Sequence, residues 1–373
     1  MNIPVFRPSI GDKEVEAVSK VLKSGWVGQG PKVIEFENEF KKYIGCEEAI
    51  AVNSATSGLQ LMIEALKHPD PERNEVVTSS VTFVSTNHAI LHNGLKPVFA
   101  DVEPDTLNID PNEIEKLVGP KTSLIVVVHC AGHPCDMERI SNIATTKVLQ
   151  DSAHALGSKH YSVEDGTRNI GKFGYNVFSF AAIKNITTGD GGMITGCSSN
   201  RMNRLKRLRW MGIDKSTYER ATGTYSWEYD VTDVGYKMNM TDISAALGIT
   251  QLSRLENLNG ARRVIKYIYD AEFRNIEELE TPPQKPYAPR LSCHHYIIKT
   301  DKRDALATYL NEHGIATSLH HKPNHLYKIY KPYYRKLPVA ERAFKRMMTI
   351  PLFPTMTELE IEYVVDHIKR FFK

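Results

Sequence analysis

Apolar positions along the chain recur at two periods, and the switches between them outline the elements. In "RPSIGDKEVEAVSKVLKSG", Val15, Val18, Val21 and Leu22 return at helical spacing and Gly25 ends the run, which predicts a helix. "KVIEFENEFKKYIG" repeats the device, with Phe36, Phe40 and Ile44 on one face and Gly45 as the stop. "EEAIAVNSATSGLQLMIEALK" reads as strand, turn and helix. "EVVTSS", "KPVFADV", "TSLIVVVH" and "TKVLQD" are short apolar runs bounded by turns and alternating with helical segments, and "YNVFSFAAI" is a further buried strand. Such runs predict an α/β fold with a mostly parallel sheet covered on both faces. A long helix is expected from about Thr241 to Ile276, with a break near Gly260. Beyond the proline-rich "TPPQKPYAPR" the pattern restarts. The reading is therefore a large unit over 1–280 and a smaller α/β unit over 281–373.

Composition narrows the function classes. The chain has 373 residues, enough for a sizeable core. Its 47 Lys+Arg against 44 Asp+Glu leave a net charge of +3, with the basic residues dispersed, so no nucleic-acid partner is expected. The basic run "RLKRLRWMG" (204–212) reads as the solvated face of a helix. No stretch approaches the ~20 apolar residues of a membrane span, and the N-terminus has no long apolar run of the signal-peptide kind. The five cysteines, at 46, 130, 135, 197 and 293, suggest no disulfide framework, and reduced thiols in a cytoplasm are expected.

The chemistry gathers at three places. "NSATSG" (53–58) leaves a strand and opens a helix. N–H groups at such a start, with the Thr56 and Ser57 hydroxyls, could cradle a phosphate; an ordinary cap by Ser54 or Thr56 is the plainer role. Asp151 ends the apolar run "VLQD". A carboxylate at a strand end could cap the next helix or hold a proton on a heteroaromatic nitrogen. Lys184 follows the buried strand in "FSFAAIKNITTGDGG", an unusual place for an ammonium. Lysine, phosphate cradle and carboxylate together are what pyridoxal 5′-phosphate (PLP) needs: a Schiff-base amine, an anion site and a partner for the pyridine nitrogen. Phe83 reads either as a flat face over that ring or as a core residue. Glycines 189, 191 and 192 would let backbone pass close to a cofactor, or form a plain turn.

The ordered motifs extend this reading. "SGWVGQGPKVIEFENEF", "NSATSGLQL", "VTFVSTNHAI", "VVHCAGHPCDM", "DSAHALG", "FSFAAIKNITTGDGGMI", "VGYKMNMTDISAALGITQL", "GIATSLHHKPNH" and "MMTIPLFPTMTELEIEYVV" follow one another over about residues 5–370. In this order the chain resembles the DegT/StrS family of PLP-dependent nucleotide-sugar aminotransferases. The resemblance implies an aspartate aminotransferase-like (type I) fold, a homodimer, L-glutamate as amino donor and a nucleotide-linked deoxysugar as acceptor. It implies that Lys184 carries the cofactor and shuttles the proton, that Asp151 pairs with the pyridine nitrogen and that His154 lies near the phenolic oxygen. Ala55, Thr56, Ser57 and Ser179 would hold the phosphate and Phe83 would stack. Two positions depart from the family pattern: Lys237 stands where Asn is frequent and Asn239 where Arg is frequent, so either could make the contact to the partner subunit's phosphate. Gln150 stands where Glu is common. The family's dehydratases carry histidine in place of the lysine, so Lys184 favours the aminotransferase; an intact Lys184, Asp151 and Ser179 set also disfavours a purely regulatory role.

The remaining candidates concern substrate and metal. Cys130, His133 and Cys135 lack the second ligand pair of a structural zinc site, so no metal is expected there. The cluster His320, His321 and His325 could ligate a metal, serve structure, or meet the substrate's phosphates. Trp26 reads as a border of the sugar site or as core. The pocket is expected from segments 26–29, 180–185, 225–240 and 318–325, and an interface helix from 235–250.

Overall fold

A computed structural model describes residues 1–222 and 227–373. Residues 225 and 226, at the start of the expected 225–240 pocket segment, lie outside the described residues. Two helices open the chain, α1 (Asp12–Ser24) and α2 (Pro31–Ile44), and each closes on a glycine in the left-handed region, Gly25 and Gly45. There follow β1 (Glu48–Val52), α3 (Ala55–Leu66), β2 (Glu75–Ser79), α4 (Val84–His92), β3 (Lys96–Ala100), α5 (Pro111–Leu117), β4 (Thr122–Val128), α6 (Met137–Ile143) and β5 (Val148–Asp151). A hairpin, β6 (Lys159–Ser162) and β7 (Gly166–Asn169), precedes β8 (Tyr175–Ser179) and β9 (Gly192–Gly196). Then come α7 (Ser199–Leu208), α8 (Thr217–Thr222) and the long α9 (Asp242–Phe273). The chain ends with β10 (Tyr296–Lys299), α10 (Arg303–Glu312), α11 (Pro338–Arg346), β11 (Met347–Ile350) and α12 (Glu358–Phe371).

Seven strands form one sheet in the order β1-β9-β8-β5-β4-β2-β3. Only β9 runs against its neighbours; the other pairings are parallel. The carboxyl ends of β1, β2, β5 and β8 therefore open on one edge, where ligands of α/β sheets bind. One face is covered by α3, α4 and α7, with Leu59, Met62, Ile90 and Leu205 in its core. On the other face α2 and α9 pack through Phe36, Phe40, Leu252 and Leu255. A further core joins Ile298, Leu306, Ile350 and Val364 to the end of α9 through Ile265, Tyr269 and Phe273. Ile3 belongs to this C-terminal core and bridges Ile315, an involvement of the first residues that a boundary at 281 does not anticipate.

Several sequence expectations change. Helix α9 runs through Gly260 without a break: an added Cβ there would meet only the far end of Arg263, so nothing crowds the helix. Of the apolar stripe on α1, Val21 is buried, but Val15 and Leu22 stand 60% and 55% exposed, while Glu14 is buried and paired with Arg254 and Gln251. The run 204–212 is not wholly solvated. Arg204 and Lys206 pair with carboxylates near the surface, but Arg209 is buried, donating to Glu37 and to the Ala51 carbonyl. All five cysteines are free. No helix among the described residues is long and apolar enough to cross a membrane.

Candidate active site

The carboxyl edge of the sheet surrounds a cavity of about 500 Å³. Asp151 enters it from the last residue of β5 and is buried. Its Oδ2 accepts from the Thr86 hydroxyl at 2.7 Å and its Oδ1 from the Ala153 N–H at 3.1 Å. Thr86 escaped the sequence reading; the available signal was its place one helical turn after Phe83. Burial raises the Asp151 carboxyl, and the two hydrogen bonds and the Lys184 charge oppose that rise.

Lys184 does not sit on the strand end. It lies five residues past β8, in the turn leading to β9, partly buried and facing the cavity. Burial lowers its amine to about 8, with Asp151 pulling the other way. Its Nζ lies 3.5 Å from His294 Nε2.

The anion cradle is the start of α3. Ser54 is the cap, its Oγ accepting from the Ser57 N–H at 3.1 Å, which leaves the Ala55 and Thr56 N–H groups in the first turn. Ala55, Thr56 and Ser179 line the cavity. The Ser57 hydroxyl is turned to Asn53 Oδ1 at 2.7 Å and is not among the lining groups, which departs from the expected phosphate contact. Gly192 makes the close approach possible: a Cβ there would stand 2.7 Å from the Ala55 nitrogen and 2.9 Å from the Phe178 carbonyl oxygen. Gly192→Ala should push β9 off the cradle. Relieving such overpacking costs ~1–3 kcal/mol. Where that cost falls on binding, affinity for PLP drops by about five- to 150-fold, a loss read by titrating the cofactor's absorbance; unchanged affinity would separate Gly192 from the cradle.

Phe83 is 57% exposed and lines the cavity, so it is not a core residue. His154 is buried there, and His320 and His321 come from the 318–325 segment. Asn324 anchors that segment: its N–H donates to the Ser80 carbonyl at 2.7 Å and its Nδ2 to the Thr82 carbonyl at 2.8 Å. His294 and His295, just before β10, complete a cluster of rings. His154 and His294 are 4.5 Å apart between centroids, and His295 and His320 are 4.3 Å apart. The doublet "HH" ahead of an apolar run was the only sign of them in the sequence. Burial holds all five imidazoles below their usual range, His320 at about 4 and His321 at about 3.

Other expected residues lie elsewhere. His325 is buried away from the cavity, with its Nε2 3.4 Å from Glu341 and its ring against Phe99 and Tyr334. Trp26 donates to the Gln29 carbonyl at 3.1 Å and meets Tyr218 edge-on, outside the lining. Lys237 is exposed with its Nζ 3.4 Å from the centroid of the Trp210 ring, and Asn239 bridges Val52 at the end of β1. Neither lines the cavity of its own chain. Cys130, His133 and Cys135 do not converge on a metal: the Cys135 thiol donates to the Val128 carbonyl, and His133 Nε2 accepts from the Lys285 N–H. Gln150 gains an account. His129 Nδ1 accepts the Cys135 N–H, so the ring proton is on Nε2 and is donated to Gln150 Oε1 at 3.1 Å. A neutral amide suits this buried, neutral imidazole.

A lysine and a buried aspartate facing the open start of a helix, at the carboxyl edge of a mostly parallel sheet, define the type I fold of PLP-dependent aminotransferases. The residues fit that cofactor, with N–H donors for its phosphate, a carboxylate for its ring nitrogen and an amine for its aldehyde. The profile of the DegT/DnrJ/EryC1/StrS aminotransferase family matches residues 8–369, and the chain belongs to that family. The spore coat polysaccharide biosynthesis protein SpsC of Bacillus subtilis is 37% identical over 390 residues, covering 100% of this chain and 97% of its own. The sugar aminotransferase CalS13 of Micromonospora echinospora superposes with a TM-score of 0.90 at 31% identity, over 99% of both chains. Spr1654 of Streptococcus pneumoniae in its PLP-form superposes with a TM-score of 0.89 at 29% identity, over 100% of this chain and 99% of its own.

Proposed function

We propose that this protein is a cytoplasmic, homodimeric aminotransferase that moves the amino group of L-glutamate to a keto carbon of a nucleotide-linked deoxysugar in polysaccharide or glycan biosynthesis. The observation that carries the reading is the convergence of Lys184, Asp151 and the α3 start on one cavity. The similarity to SpsC and to CalS13 supports the sugar class of substrate. We divide the chain for this purpose into a cofactor-binding unit over 1–280 and a smaller unit over 281–373 that supplies the histidine wall.

Bound PLP supplies the electron sink for breaking the donor's Cα–H bond. Asp151 keeps a proton on the ring nitrogen, and Thr86 and Ala153 hold its carboxylate in place. The Ala55 and Thr56 N–H groups, with the Thr56 and Ser179 hydroxyls, bind the phosphate at the positive end of α3. Phe83 offers a flat face to the ring. His154, buried in the cavity wall, would lie near the phenolic oxygen. The Lys184 amine, brought to about 8, has a neutral fraction that could take up the donor's Cα proton and would serve as the proton carrier beside the bound cofactor. A dehydratase of the same family would need this base removed, and Lys184 is present and faces the cavity.

The exposed Val15 and Leu22 of α1, with Val27 and Ile34 after it, support a dimer, since among the described residues they stand outside the core. Sedimentation should find a dimer at working concentration, and a fully active monomer would contradict it. Across that dimer we assign Lys237 to the partner's cofactor phosphate or to the substrate diphosphate, with Asn239 as the alternative. Lys237→Ala should remove a charge-assisted hydrogen bond of ~1.5–3 kcal/mol. PLP affinity or the sugar nucleotide KM should then worsen about tenfold or more. No change in either would leave the contact to Asn239.

The reaction itself is tested with nitrogen-15 L-glutamate and a panel of keto nucleotide sugars, read by mass spectrometry. Label in an amino sugar nucleotide supports the proposal. Donor turnover with label appearing only in other keto acids would remove the sugar from it.

A further inference from the structure

We propose that His154, His295 and His321 form a binding site for a divalent transition cation of the Zn²⁺, Co²⁺ or Ni²⁺ kind on the wall of the cavity. They come from three separate segments: the loop after β5, the residue before β10 and the stretch 318–325. One ring nitrogen from each lies within 4.8 Å of the other two. Each of the three rings also has a buried nitrogen that bonds to nothing else. His154 Nδ1, both nitrogens of His295 and His321 Nε2 are buried without a hydrogen-bond partner, in a structure where buried polar atoms normally find one. His154 and His295 are only 7% and 5% exposed.

The chemistry of the set selects the ligand. Each neutral imidazole offers one lone-pair nitrogen, the donor type that suits zinc, cobalt and nickel. Tetrahedral zinc with Zn–N near 2.0–2.1 Å needs nitrogens about 3.3 Å apart, so the rings close on the ion by side-chain rotations of about an ångström. Their surroundings hold them near that position. His320 stacks on His295 with an interplanar angle of 13° and is pinned by its Nδ1 at 3.0 Å from the Thr349 hydroxyl, and Phe6 lies 5.1 Å from His295. Lys184 is an opposing cation in the same cavity, and Asp151 and Asp190, which also line it, offset that charge. Three protein ligands leave a fourth position open to the cavity, so the ion blocks the substrate's place, and cation and substrate compete.

The site shares His154 and the cavity with the aminotransferase reading, but its test is a binding measurement that does not depend on turnover. The protein with its cofactor is stripped of metal by a chelator, freed of the chelator and titrated with Co²⁺, followed in the ligand-field region of the visible spectrum. One Co²⁺ per chain should bind with the intense bands of a low-coordinate site, and Zn²⁺ should displace it. His321→Ala and His295→Ala should each raise the Kd roughly tenfold or more. His325→Ala, whose ring faces Glu341, should leave it unchanged. His321→Asn, checked for wild-type circular dichroism, serves if an alanine variant does not fold. Co²⁺ binding that does not saturate, or that keeps its Kd in both His321 variants, overturns the site.

Discussion

Lys184→Ala is expected to lose donor turnover by a factor of roughly 10²–10⁴, the range of a lost general acid–base group. The cause is local. Lys184 is the only lysine lining the cavity among the described residues, and its amine is lowered to about 8, so no other side chain there combines basicity with reach. The neighbouring imidazoles are held well below their usual range by burial and make weak bases. The variant should also stop retaining cofactor through borohydride reduction and denaturation, whereas in the wild type the reduced cofactor stays on the peptide containing Lys184. Turnover near the wild-type rate would remove Lys184 from the mechanism.

Asp151→Asn should follow closely, with a loss of roughly 10²–10³ in turnover, comparable to removing another buried electrostatic support. Asparagine keeps the shape: its Oδ1 can still accept the Ala153 N–H and its Nδ2 can donate to the Thr86 hydroxyl, which turns to accept, so the fold should survive. What disappears is the charge that keeps a proton on the ring nitrogen. The cost falls on the step in which charge develops, so kcat should drop while affinity for the sugar nucleotide changes little. A variant whose kcat is intact and whose KM alone rises would make Asp151 a binding residue instead. Thr86→Val tests the orientation of the carboxylate separately and should cost less, since it removes one hydrogen bond and leaves the charge.

Much of this architecture is legible in the sequence because buried parallel strands leave continuous apolar runs. "EVVTSS", "TSLIVVVH" and "TKVLQD" contain β2, β4 and β5, and the left-handed glycines at 25 and 45 close both N-terminal helices. Asp151 was placed correctly because a strand end is a local feature. The misses are non-local. The apolar run reads as strand right up to Lys184, yet the strand stops at Ser179 and a turn carries the lysine inward. His295 reaches the cavity because the chain before β10 packs against the turn after β4, where the His294 N–H donates to the Ala131 carbonyl at 3.1 Å. No periodicity records such a contact. His325 shares a motif with His320 and His321, yet Asn324 turns the chain so that His325 faces Glu341. Val15 and Leu22 fit the helical period and still stand exposed, outside any core among the described residues.

The central claim, an aminotransferase centred on Lys184, is tested most directly by the donor half-reaction, which needs no knowledge of the sugar. Wild-type protein loaded with cofactor and mixed with L-glutamate alone should release one 2-oxoglutarate per active site, in step with loss of the cofactor's visible band, and the Lys184→Ala variant should release none on that timescale. If cofactor-loaded wild-type protein produces no keto acid from L-glutamate or any other amino donor, or if Lys184→Ala produces it equally fast, the account is wrong.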